Sequence, residues 1–158
     1  MKFTERFQTF VCEGDSIACE TAGFEITARI VRDGCTDAPD QRQDGFWPSL
    51  YKDAPGFIGP GANHRQRFAE AQAKAEAVME AWREGEWFYC GIVLSVSLEG
   101  ITLTSHAASL WGIEANYPGS DNRYLTETAN ELLPEAIEAG RAAAGQLCAA
   151  YEKNSACS

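Results

Sequence analysis

The 158-residue chain has no run of about 18 apolar residues, the length a helix needs to cross a bilayer, so no membrane-spanning helix is expected. Its opening stretch, MKFTERFQTF, breaks up its apolar positions with charge and has no continuous apolar centre. It does not read as a secretion signal, and the expected compartment is cytoplasmic. Cations are scarce. There are 13 Lys and Arg against 23 Asp and Glu, a net charge of −10, which works against direct binding to nucleic acid or to an anionic membrane. Histidine is scarcer still: only His64 and His106 occur, and neither stands at zinc-ligand spacing from a cysteine. The six cysteines, at 12, 19, 35, 90, 148 and 157, include no Cys-x-x-Cys pair. Without an export signal a reducing compartment keeps thiols unpaired, so all six are expected free, with no metal and no cofactor. No phosphate loop, nucleophile elbow or paired-ligand motif occurs, so nothing in the sequence amounts to a catalytic signature.

What is present is enough for one core. Hydrophobic residues make up 45% of the chain and aromatics 11%, and a chain of this length buries roughly 70% of its extended surface. A single domain over 1–158 is expected. Phe24, Ile26, Ala28 and Ile30 alternate with more polar neighbours, the period of a strand with one buried face. Turn residues at 13–15 and at Ala22-Gly23 make residues 9–33 an antiparallel meander. A first strand is expected near Phe7–Cys12, although Phe3, Phe7, Phe10 and Val11 also fit a helical stripe. Residues 33–62 hold four prolines, five glycines and five aspartates and read as one long irregular loop, with Phe46, Trp47, Leu50, Tyr51, Phe57 and Ile58 able to fold back onto the body.

From Asn63 to Glu84 the residues favour helix, with Phe68, Ala71, Ala75, Val78, Met79 and Trp82 on one stripe, Asn63 as N-cap and Gly85 as the stop. Trp87–Ser97 and a strand from Ile101 read as a hairpin around Leu98-Glu99-Gly100. The apolar run at 87–94 predicts a central strand covered on both faces, and Gly91 within it predicts a bulge or the close approach of a helix. A last helix is expected from about Asp121 to Tyr151, capped by Ser120 or Asp121 and kinked or split by Pro134, with a frayed tail at 152–158. The order strands, helix, strands, helix predicts an α+β fold: a mostly antiparallel sheet of about four to five strands with two main helices packed on one face.

Between residues 84 and 140 nine carboxylates stand against one cation, Arg123. Glu127, Glu131, Glu135 and Glu138 follow steps of 4, 4 and 3, so they share one helix face. Four helical residues rise about 6 Å, comparable with the separation of neighbouring phosphates on a nucleic-acid strand. With Asp121 and Glu114 added, the strip predicts a surface that meets a basic groove on a host protein. The plainer reading is the polar face of an amphipathic helix, for which Glu is a good helix former. Against that reading, the strip lacks interleaved Lys and Arg, and its like charges repel at i, i+4. A second candidate is a ligand pocket or enzymatic site at the 107–124 corner, built from His106, Trp111, Asn116, Tyr117 and Tyr124. His106 is of the right type for a general base, and aromatics beside Gly112 and Gly119 can line a pocket. Its plainer reading is a hydrogen-bonding histidine and a loop anchored by its aromatics.

The stretch GEWFYCGIVLSVSLEGITLTSHAASLWGIEANYPGSDNRYLTETANELLPEA, with FEITARIV upstream, resembles a family of small hypothetical proteins carried by bacteria, their phages and plasmids. The similarity covers roughly residues 16–33 and 82–140, and SLWGIE…PGSDNxYLxExANEL is its signature. The resemblance implies a bacterial or mobile-element origin and brings no activity with it. Together with the acidic strip it leads to the expectation of a non-enzymatic accessory protein that inhibits a DNA-targeting defence system as a DNA mimic.

Overall fold

The structure is a computed structural model and describes residues 2–156. The fold is α+β. Strands β1 (Ser16–Thr21), β2 (Phe24–Arg32), β3 (Phe88–Leu98) and β4 (Ile101–Ala115) form one antiparallel sheet in the order β1-β2-β3-β4. Three helices accompany it: α1 (Pro39–Arg42), α2 (His64–Arg83) and α3 (Arg123–Ala156). Both hairpins turn on two residues, Ala22-Gly23 and Glu99-Gly100, all four at positive φ. That is the turn whose twist matches the flanking strands.

β3 is central and its residues 88–94 are all buried, as its apolar run predicts. Its side chains alternate between two clusters. Phe88, Cys90, Ile92, Leu94 and Val96 face the main core with Ile26, Ala28 and Ile30 of β2 and with Leu125, Ala129, Leu133, Ala136 and Ile137 of α3. Tyr89 points to the opposite side, where Trp87 and Tyr89 join Val78 and Ala81 of α2, with Phe46 from the long loop and Tyr117 alongside. Of the two long helices, α3 therefore covers the main core, while α2 is fastened beyond the other face. Its bond there is Trp87 Nε1 donating to the Val78 carbonyl at 2.9 Å.

α2 ends as Gly85 predicts. Gly85, at φ +77, donates to the Trp82 carbonyl, and Glu86 donates to that of Ala81. Asn63 occupies the N-cap position in the left-handed region, but its side chain makes no capping bond. Gly91 sits at a register shift between Cys90 and Ile92. A Cβ there would lie 2.4 Å from the Trp111 ring, so the close approach expected at Gly91 is made by an indole rather than by a helix.

The N-terminal segment departs from expectation. Residues 7–12 form no strand and no helix. Instead Phe3, Phe7 and Val11 are buried, and their backbone amides donate to Asn130 Oδ1 (2.7 Å), Thr126 Oγ1 (3.0 Å) and Asn116 Oδ1 (2.9 Å). The four-residue spacing that mimics a helical stripe comes from a segment laid along the start of α3.

Further expectations are refined at the corner, along the last helix and in the long loop. β4 runs through Trp111 and Gly112 to Ala115, so the corner occupies only 116–122. α3 begins at Arg123 and passes Pro134 without a break. Residues 152–156, expected to fray, continue it, while 157–158, and Cys157 with them, lie outside the described residues. Ser120 and Asp121 precede the helix, yet their side chains still accept the amides of Asn122 and Arg123, both at 3.0 Å. In the 33–62 loop, which is irregular apart from α1, Phe46 packs inward while Leu50 and Tyr51 stay exposed.

Candidate functional site

Glu127, Glu131, Glu135 and Glu138 are all exposed on α3. The side of α3 that carries Leu125, Ala129, Leu133 and Ala136 is buried against the sheet, so the steps of 4, 4 and 3 place the carboxylates in solvent. Among the described residues the ion pairs are Arg32–Glu13, Arg83–Glu80 and Arg123–Asp121, and none engages the four glutamates. The upper end of the strip is tempered. Asp121 and Glu127 line a cleft of about 540 Å³ that also holds Lys2, Arg6 and Arg123. Lys2 and Arg6 arrive with the N-terminal segment, and nothing in the spacing along α3 shows them. Uncompensated charge therefore begins at Glu131.

Glu114 is not part of that strip. It pairs in register with Tyr89 and lines a different cleft, of about 470 Å³, with Arg42, Gln43, Gly112, Ile113 and Tyr124. Arg42 comes from α1. Its guanidinium carbon lies 4.1 Å from the centre of the Tyr89 ring, and its Nη2 donates to the Gly112 carbonyl at 3.4 Å. Gly112 suits that place, because its φ is +75, where a side chain is strained, and a Cβ would come within 3.0 Å of Arg42 Nη2. Burial pushes the Glu114 carboxyl above its ordinary range, and the charge of Arg42 partly opposes this. Burial also raises the Tyr89 and Tyr124 phenols, with Glu114 adding to both. Tyr124 Oη donates to the Glu114 carbonyl, which holds the end of β4 to the start of α3.

The five residues expected to share a pocket are divided three ways. His106 and Trp111 form an exposed pair on β4, with rings 6.5 Å apart and nearly parallel, and both reach Ser109 Oγ (His106 Nε2 at 2.9 Å, Trp111 Nε1 at 3.2 Å). Tyr117 packs edge-on against Trp87. Tyr124 joins the Arg42 cleft. Asn116 belongs to a lock with Asn122. The Asn116 amide donates to Asn122 Oδ1 (2.9 Å), and Asn122 Nδ2 donates to Asn116 Oδ1 (2.8 Å) and to the Thr9 carbonyl (2.9 Å). Both asparagines have φ near +60°, which Asn tolerates better than most residues. Much of the stretch from Ser109 to Asn122 is thus structural: it seats Trp111 on Gly91, admits Arg42 at Gly112 and clamps the N-terminal segment.

Among the described residues no group of three or more His, Cys, Asp and Glu side chains converges as metal ligands would. Comparison with protein-family models, with curated proteins and with solved structures finds no match to this chain.

Proposed function

We propose that this protein is a non-enzymatic accessory protein that binds a basic groove on a host protein through the acidic face of α3. The observation that carries the reading is that Glu127, Glu131, Glu135 and Glu138 stand in solvent on one face, and that among the described residues Glu131, Glu135 and Glu138 engage no ion pair and lie outside the cleft of Lys2, Arg6 and Arg123. Like charges at i, i+4 cost a helix a few tenths of a kcal/mol per pair, and here no intramolecular contact offsets that cost. A basic partner would. Such a face speeds encounter and sets specificity more than it adds affinity. The concrete form is imitation of a nucleic-acid backbone, with a DNA-targeting defence protein as the target, and Glu131, Glu135 and Glu138 as its centre. The test is competition. A partner captured from bacterial lysate on the immobilised protein should be released by excess double-stranded DNA, because both occupy the same groove. A partner retained unchanged in excess DNA would contradict the mimicry and move attention to the exposed His106–Trp111 pair.

One observation favours a second reading. Arg42, held over Tyr89 and bonded to the Gly112 carbonyl, and Glu114 line one cleft without forming an ion pair with each other. A small molecule with both an anionic group and an N–H donor fits that arrangement, with Arg42 and Glu114 as binding residues and Tyr89 and Tyr124 as its walls. Calorimetric titration with free amino acids and with nucleotides, repeated on Arg42→Ala, tests it. Heat lost with Arg42 supports the site, and no heat from any of them rejects it.

A further inference from the structure

We infer that the last four turns of α3 are a self-association helix that pairs antiparallel with the same helix of a second copy. At about 1.5 Å per residue, α3 is roughly 50 Å long, and only its first half is spent on the sheet. Its buried seam runs Leu133, Ile137, Gly140 in steps of 4 and 3. At Gly140 the helix still lies close on the sheet, since a Cβ there would meet Val96 at 2.8 Å, and burial fades over Ala143 and Ala144. The same seam then continues with unbroken steps of 4, 3 and 4 through Ala144, Leu147 and Tyr151, where no sheet lies beneath it. Residues 145–155 are all exposed, Leu147 at 56% and Tyr151 at 74%. Alternating steps of 3 and 4 are the period with which one helix meets another. A helix of this length standing alone in water gains little, since helical stability in proteins comes mainly from packing an apolar face.

Charge selects the occupant. The protein is strongly acidic, so two copies repel over most of their surface, and the acidic strip ends at Glu138. From Ala139 to Ser155 the charged residues are Arg141, Glu152 and Lys153, the one stretch of α3 on which a second copy meets no excess of acid. Antiparallel alignment keeps both acidic strips, which end at Glu138, outside the paired stretch, and the symmetry repeats this at either end. It sets Leu147 of each copy against Tyr151 of the other, with Cys148 beside the two-fold axis. Parallel alignment would drive the two sheets into each other, because both occupy the seam at the Leu133–Gly140 end. Antiparallel alignment puts them at opposite ends.

A pair of four-turn helices is smaller than a standard interface, so the dimer is weak and concentration-dependent. Sedimentation equilibrium from low to high micromolar protein tests it with two variants. Leu147→Glu places a charge in the seam, and Ala149→Glu places the same charge on the outward face. The expected result is a rising dimer fraction for the wild type and for Ala149→Glu, and its loss in Leu147→Glu. Mild oxidation should cross-link the wild-type dimer through Cys148, and Cys148→Ser should abolish that band. A wild type monomeric at every concentration, a dimer that survives Leu147→Glu, or a cross-link unchanged by Cys148→Ser would each overturn the inference.

Discussion

Asn122 shows how much one side chain carries in this protein. It is fully buried, holds the Asn116 amide and side chain, and reaches the Thr9 carbonyl. Replacing it with Ala removes the partner of the half-buried Asn116 amide and of the Thr9 carbonyl and leaves Asn116 Oδ1 with the Val11 amide alone, at about 1–3 kcal/mol for a stranded group that water does not reach. Asn122→Ala is therefore expected to lower the urea midpoint and expose the N-terminal segment to protease before the sheet, whereas an unchanged midpoint would show that the lock is dispensable. Glu114 gives the opposite sign. Burial raises its folded-state pKa above the unfolded value, so the folded state holds the proton more tightly in the window between the two. Its contribution to stability is full below the unfolded value and falls away as pH rises through the folded one. Glu114→Gln should match the wild type in acid and equal or exceed it at neutral pH. A variant less stable at neutral pH would mean that Arg42 does more for the Glu114 charge than burial does against it.

At the scale of elements, what was legible in the sequence had a local cause. The β2 alternation, the two X-Gly hairpin turns, the continuous burial of β3 and the Gly85 stop all follow from neighbouring residues, and all stand in the structure. The N-terminal segment was not legible, because the partners of its amides lie more than 100 residues away. Arg42 was missed for the same reason. It ends the short helix α1 within the long loop, and its destination on Gly112 and Tyr89 leaves no trace in spacing. Of the expected site residues, the four glutamates stayed together because one helix carries them. The His106–Tyr124 set came apart because β4 runs on to Ala115 where a corner had been expected. Thiol chemistry checks the element layout. Burial in β3, aided by the nearby Asp33, pushes the Cys90 thiol up to about 12, and burial also raises Cys19. With a water-soluble thiol reagent and peptide mapping, Cys12 and Cys35 should label at once, Cys19 slowly, and Cys90 only on unfolding. Labelling of Cys90 alongside the exposed thiols would contradict a central β3.

On the scale of the whole molecule, the sheet and the first half of α3 make a framework that turns one row of carboxylates outward. The direct test is to change Glu127, Glu131, Glu135 and Glu138 to Gln together. The fold should survive, with thermal stability unchanged or slightly higher, because like-charge repulsion of about 0.2–0.5 kcal/mol per pair is relieved. The deciding measurement is capture from bacterial lysate by immobilised wild type and quadruple variant, side by side at low and moderate salt. The expected result is a partner that the wild type holds, that moderate salt weakens, and that the folded variant fails to hold at either salt. A partner held equally by both proteins and indifferent to salt would contradict it.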